Sequence, residues 1–343
     1  MKATYQQILN DLKHEQYAPV YLLYGDEPYY ISKLGEYMER YVLDDTAKSF
    51  DQTVFYGKDL TDISPVINAA RRFPMLGDKQ MIILKEAQML KKWENFQHYW
   101  NNPMPSTILV ICYKGKPDKR TLAFKDIEKS CTVMESVPLR EYEVSKWILD
   151  YIRQWNATAT ATNQVRIDER VVQILAESLG TDLTRITMEL QKLVNGRPDG
   201  VNVIDADLVQ RNIGISKDYN VFELQDAFVR KDVLKANRIT QYFAANKKEH
   251  AIQKELAMVF TFFSNLMIYH YLAQKDERSV AQALGISPFF AKNYAAAARQ
   301  YSAGKVFKII GYIRETDARS KGIDNVSADD SDLWKELVYK IMH

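Results

Sequence analysis

An α/β domain followed by an all-α stretch is the fold class this sequence predicts, and three observations carry that reading. The first 140 residues alternate short apolar or β-branched runs (20–24, 50–56, 81–84, 107–112 and 131–135) with helix-length segments (29–43, 61–72, 88–100 and 119–129). Such alternation implies a mainly parallel sheet with helices on its faces. Two of the runs, Val-Tyr-Leu-Leu-Tyr and Thr-Ile-Leu-Val-Ile-Cys, are apolar almost throughout, as central parallel strands buried on both faces must be. After Pro138 the strand signal nearly vanishes.

Beyond that point each element is read from its ends. Residues 142–155 predict a helix, and 157–163 (Ala-Thr-Ala-Thr-Ala-Thr-Asn) a polar, low-complexity connector. Helices are expected at 168–179 and 182–194. Gly180 suits the left-handed residue that closes the first, and Thr181 or Asp182 can cap the second. Leu183, Ile186, Leu190 and Leu193 recur at helical spacing and form one apolar stripe. The run 196–200 (Gly-Arg-Pro-Asp-Gly) breaks the pattern, and a domain boundary is placed near Asn212. From there the chain reads as almost all helix. Ile252, Leu256, Val259, Phe263, Leu266 and His270 mark one face of a long helix that is either deeply buried or shared with a neighbour. His270 on that stripe is read as a satisfied core or interface histidine.

Composition narrows the function classes. The chain has 343 residues, enough for two or three domains, and 46% are apolar. Lys and Arg number 46 against 44 for Asp and Glu, and a net +2 does not mark a whole-chain polyanion binder. Local basic clusters stand at Arg71-Arg72, Lys91-Lys92 and 114–120. Cys112 and Cys131 fall in apolar runs and read as core thiols of a reducing compartment. The opening residues have no apolar signal core, and no stretch of 18 apolar residues exists, so a cytoplasmic location without a membrane span is expected.

Few residue patterns in the chain suit a reaction. A strand followed by Gly25-Asp26-Glu27-Pro28-Tyr29-Tyr30-Ile31-Ser32 occupies the place of a phosphate-binding loop, which needs Gly, four residues, then Gly-Lys-Ser/Thr. Gly25 and Ser32 fit. Tyr30 replaces the second glycine, and Ile31 replaces the lysine that holds the terminal phosphates. Asp26 and Glu27 add negative charge where an anion would sit. Lys85 follows the run 81–84, where a magnesium-binding carboxylate belongs. This loop is therefore expected to bind no nucleotide. The histidines (14, 98, 250, 270 and 343) and cysteines show no metal-ligand spacing, no Gly-x-Ser-x-Gly elbow occurs, and pairs such as Asp44-Asp45 and Asp329-Asp330 read as solvated surface. Neither a catalytic residue, a metal nor a cofactor is predicted.

Two segments point to macromolecular partners. Arg71 to Asp78 reads Arg-Arg-Phe-Pro-Met-Leu-Gly-Asp between a helix and a buried strand. Pro74 and Gly77 make it a turn, and turns lie at the surface. Phe73, Met75 and Leu76 are then either a wedge made to enter another protein's pocket or a cap folded back on their own core. Residues 279–294 have the cadence of a helix-turn-helix, with Gly285 at the turn and Ser287-Pro288 opening the second helix. That second helix offers Phe289, Phe290 and alanines, and only Lys292 and Asn293 could reach bases. Packing competes there with a role as a DNA-binding regulator.

Four segments together resemble the delta subunits of the bacterial DNA polymerase III clamp loader: 21–27 (Tyr-Leu-Leu-Tyr-Gly-Asp-Glu), 72–80 (Arg-Phe-Pro-Met-Leu-Gly-Asp-Lys-Gln), 180–193 around Asp182, Glu189, Leu190, Lys192 and Leu193, and 317–322 (Asp-Ala-Arg-Ser-Lys-Gly). The resemblance implies a RecA-like AAA+ N-terminal domain (1–140) with a degenerate nucleotide loop at Gly25, Tyr30, Ile31 and Ser32. It implies a small helical lid domain (141–212) and a helical collar domain (213–343) that assembles into a five-subunit arc. It further implies a non-catalytic subunit of the polymerase holoenzyme that opens the sliding clamp for loading onto primed DNA. By position Phe73, Pro74, Met75 and Leu76 match the family's clamp-binding loop, although Pro74 and an aromatic placed first depart from its pattern. The implied partners are the sliding clamp (beta), the gamma/tau and delta prime subunits through the collar, and primer-template DNA, with Arg319 and Lys321 as possible phosphate contacts. An AAA+ nucleotidase with an atypical loop is the competing enzymatic reading.

Overall fold

Each apolar run of the first 140 residues becomes a strand because its alternate residues find helices on opposite faces. The computed structural model describes residues 2–90, 93–160, 163–198, 200–216, 218–286, 288–325 and 327–343. Lys91 and Lys92, Ala161 and Thr162 of the connector, Asp199 and Ser287 lie outside the described residues, as do the side chains of His98 and Phe289. The chain divides into two units, one of residues 1–140 with Thr181–Thr184, the other of 141–180 and 185–343.

The first unit opens with α1 (Tyr5–Lys13), closed at its start by a reciprocal cap between Thr4 and Gln7. β1 (Val20–Gly25), α2 (Pro28–Tyr41), α3 (Asp45–Asp51) and β2 (Gln52–Tyr56) follow. Then come α4 (Ser64–Ala70), β3 (Gln80–Lys85), the short α5 (Gln97–Trp100), β4 (Thr107–Lys114), α6 (Leu122–Ser130) and β5 (Thr132–Ser136). The five strands form one sheet in the order β2-β3-β4-β1-β5, every neighbouring pair parallel. Side chains of a strand alternate between faces. Val20, Leu22 and Tyr24 join Val66, Trp100, Phe124 and Ile127 in one core layer. Tyr21 and Leu23 join Ile8, Ile31, Leu34 and Met38 in the other.

Two expectations are corrected here. Phe50 does not open a strand. It lies in α3, which forms because the Asp44 carboxylate caps it, accepting the amides of Thr46 and Ala47. Residues 88–100 do not make one helix either. Glu86 adopts a left-handed conformation (φ 55°), and the chain then runs as 3₁₀ turns over Ala87–Met89 and Trp93–Phe96 before α5. Both cysteines are buried, and burial pushes each thiol up to about 12.

After the sheet the chain forms α7 (Glu141–Thr158), β6 (Arg166–Ile167), α8 (Glu169–Leu179), α9 (Leu183–Asn195), β7 (Val203–Ile204) and α10 (Ala206–Ile213). β6 and β7 pair in parallel, a two-residue ladder that the sequence pattern does not announce. Gly180 ends α8 with a positive φ (67°), but its ψ of −143° places it outside the left-handed helical region expected there, and α10 passes position 212 before ending on Gly214.

The remaining helices share one core: α11 (Val221–Arg230), α12 (Val233–Ala245), α13 (Ile252–Tyr271), α14 (Glu277–Leu284), α15 (Pro288–Gln300), α16 (Ala303–Ser320) and α17 (Asp330–Met342). Phe243, Phe263, Tyr301 and Trp334 are fully buried in it. His270 has its Nε2 2.8 Å from the Tyr301 carbonyl, so its polar edge is satisfied. α15 is part of this core, with Ala291, Tyr294 and Ala297 buried, and Lys292 is ion-paired to Glu277. Among the described residues no helix is long and apolar enough to cross a membrane.

Candidate functional site

The segment between α4 and β3 joins two properties that seldom occur together. Its apolar side chains stand in water, with Phe73 77%, Met75 75% and Leu76 58% exposed and Pro74 half-buried. They do not cap their own core. Its backbone, by contrast, is held from both ends.

At the C-terminal end the holder is Asp51, the last residue of α3. Its buried carboxylate accepts the amide of Met75 through Oδ1, and through Oδ2 the amides of Leu76 (2.9 Å) and Gly77 (3.0 Å). Burial pushes the Asp51 carboxyl up, but the three amide hydrogen bonds outweigh it, and the net shift is downward. Gly77 itself has no left-handed φ, and a Cβ there would meet only ordinary contacts with the Lys79 carbonyl, Ala47 and Asp51. Its presence is not demanded by backbone conformation.

At the N-terminal end the holder is Gln80, buried at the start of β3. Its Nε2 donates to the Thr107 hydroxyl (2.8 Å) and to the Arg72 carbonyl, with the Ala69 carbonyl 3.2 Å away. The Thr107 hydroxyl in turn donates to the Ala70 carbonyl at 2.8 Å. The last turn of α4 leaves its carbonyls without helical partners, and this side-chain network supplies them. Sequence reasoning missed both Asp51 and Gln80. Each sits beside other polar residues (Asp51-Gln52-Thr53 and Asp78-Lys79-Gln80), so nothing in the sequence singles it out.

The expected nucleotide loop is not a loop. α2 begins at Pro28, so only Asp26 and Glu27 separate it from β1, and Tyr30, Ile31 and Ser32 are helical positions. The early start has a clear cause. Glu27 caps the helix, its carboxylate accepting the Tyr29 amide at 2.9 Å, and proline is pre-organised for the first helical position. Ile31 is fully buried beneath the sheet, where a phosphate-binding lysine would have to point outward. Tyr30 packs on Tyr5 and Tyr29 and lines a cavity of about 420 Å³ with Tyr24 and Glu135. Gly25 is positional: at φ 137° a Cβ would lie 1.9 Å from the Ser136 carbonyl oxygen. Asp26 is ion-paired to Lys116, and Lys85 to Glu39.

The two cations near the end of α16 are also engaged. Arg319 donates to Glu336 of α17 at 2.6 Å, and Lys321 pairs with Asp317 at 2.6 Å.

The family model described as DNA polymerase III, delta subunit, matches residues 21–137, and that of the DNA polymerase III delta subunit, C-terminal domain, matches residues 218–327. The DNA polymerase III subunit delta of Bacillus subtilis (strain 168) is 26% identical over 329 residues, which cover 92% of this chain and 91% of that protein. Among solved structures, the DNA clamp loader delta protein of Bacillus subtilis covers 98% of this chain and 99% of its own at 23% identity, with a TM-score of 0.49. The Holliday junction branch migration motor RuvB of Thermotoga maritima covers 85% of this chain and 83% of its own at 12% identity, with a TM-score of 0.36. With both domain models in the right order on one chain, this protein belongs to the delta subunit family of DNA polymerase III.

Proposed function

We propose that the chain is the non-catalytic loader subunit that grips the sliding clamp and favours its open form, with Phe73, Pro74, Met75 and Leu76 as the gripping element. The observation that carries this reading is the exposure of three large apolar side chains on a backbone pinned by Asp51 and Gln80. Burying such a side chain in a partner's pocket is worth about 1.5–3 kcal/mol relative to leaving it in water. Only a difference in affinity between open and closed rings can do mechanical work on the clamp.

The reading treats residues 1–140 as a RecA-like AAA+ domain that handles no triphosphate. Its support is the capping of α2 by Glu27 and the burial of Ile31. It divides the rest into a lid (141–212) and a collar (213–343). Assembly with gamma/tau and delta prime through the collar is supported by apolar residues left in water: Phe260, Ile268 and Tyr271 on α13, and Phe307 on α16. Arg319 and Lys321 would meet primer-template DNA only by leaving Glu336 and Asp317, so within this reading Arg319 first serves to hold α16 on α17. A cytoplasmic location follows from the replication role.

Binding of the chain to its cognate sliding clamp, measured by calorimetry or surface plasmon resonance, tests the reading. Met75→Ala and Leu76→Ala are each expected to weaken binding by about 2 kcal/mol, roughly 30-fold. The thermal midpoint should hardly move, because surface side chains rarely change stability by more than about 0.5 kcal/mol. Normal clamp binding by both variants would remove the loop from this role.

A further inference from the structure

We propose that Asp51 is a positioning residue for clamp binding: its buried carboxylate, by accepting the amides of Met75, Leu76 and Gly77, sets the loop in its binding conformation before the clamp arrives. The proposal rests on the clamp-binding reading of the loop and adds a residue that touches no partner.

The placement of Asp51 is unfavourable on every count except this one. It is the last residue of α3, and a helix C-terminus disfavours a carboxylate. It is only 4% exposed, and burial disfavours its charge. Against these costs stand the three successive amides. Hydrogen bonds to an ionised acceptor are the strong ones, and the carboxyl is held below its ordinary range despite its burial. Asp51 therefore remains a carboxylate because the loop supplies its donors. The loop in turn owes those residues' backbone positions to Asp51. Ala47, one turn earlier on α3, lies beneath Gly77 and completes the support.

The consequence is kinetic as well as energetic. A loop that had to be ordered on contact would lose affinity for every residue fixed. When only a fraction of molecules holds the competent conformation, apparent affinity falls by that fraction. Loss of Asp51 should therefore act on the association rate. Loss of an inserted side chain acts mainly on dissociation.

Asp51→Asn tests this, since it keeps the shape and replaces one acceptor oxygen with a donor that faces amides. Amide hydrogen exchange on the free chain reads the loop without any partner. Faster exchange at Met75, Leu76 and Gly77, with unchanged exchange in β1 and β4, is expected. Binding to the cognate clamp should weaken about tenfold or more through slower association. Asp51→Glu, which moves the carboxylate by one methylene, gives an intermediate loss and serves if the Asn variant does not fold. Wild-type exchange in both variants overturns the proposal. So does faster exchange with unaltered clamp binding, and if Leu76→Ala still weakens binding in that case, the loop keeps its role and only the positioning claim fails. Normal clamp binding by Asp51→Asn, Met75→Ala and Leu76→Ala alike would defeat the underlying reading as well.

Discussion

Two turns of the first unit use the same device to opposite ends. At the start of α2 and in the loop before β3, a carboxylate only 4% exposed, Glu27 or Asp51, accepts backbone amides close by. At α2 the amide consumed is one that an anion would need, and the side chains that follow turn inward, with Ile31 fully buried. The position is closed to a ligand from without. In the loop the consumed amides fix a backbone whose side chains face outward. There the same internal satisfaction creates an exposed apolar surface. The difference lies in where the next side chains go, and the backbone hydrogen bonding alone would not reveal it.

One substitution made at both places separates them most sharply. Ile31→Lys restores the cation of a phosphate-binding loop but puts a charge in the core layer, and it should cost about 3 kcal/mol or more of stability. It should bring no nucleotide affinity, because Glu27 still occupies the helix start. Leu76→Lys places the same cation in water and should shift stability by less than about 0.5 kcal/mol. Chemical denaturation of both variants, with equilibrium binding of labelled ATP to the first, measures the contrast. A stable, ATP-binding Ile31→Lys protein would mean that the two turns are not opposites.

A smaller effect is expected at the other end of the loop. Gln80→Ala removes the donor shared by Thr107 and Arg72 from a buried position and should cost about 1–3 kcal/mol. Loss of stability without faster exchange at Phe73 would show that Gln80 braces the sheet and not the loop.

How much of this could be read from residues follows from the same comparison. The strands were legible because parallel strands buried on both faces leave continuous apolar runs, such as 107–112. Phe50 misled because its exposed ring in α3 adjoins a β-branched run, and 88–100 misled because aromatic spacing imitates a helix where Glu86 turns the chain aside. The exposed loop was legible as a turn, but its sequence could not say whether Phe73, Met75 and Leu76 faced in or out. That choice is made by Asp51 and Gln80, residues 24 and 8 positions from the groups they hold. Long-range partners of a single polar residue leave no period to read.

Titration gives the finest test, because the two carboxylates shift in opposite directions. Burial pushes Glu27 up, only partly offset by the Tyr29 amide, whereas Asp51 ends below its ordinary range. For Asp51 the folded value lies under the unfolded one, so its contribution is complete above the unfolded carboxylate range, near 4, and is lost as pH falls through the folded value. For Glu27 the sign reverses: its contribution is full below the unfolded range and is lost as pH rises through the folded value. Between neutral pH and the carboxylate range, then, acidification should relieve Glu27 while leaving Asp51 intact. Urea unfolding at pH 7 and at about 4.5 should show Glu27→Gln gaining on the wild type at the higher pH and converging with it at the lower. Asp51→Asn should stay less stable than the wild type at both, and approach it only in stronger acid. Parallel behaviour of the two variants would mean that the carboxylates share one environment, and that the closed turn and the open loop are built on a single principle after all.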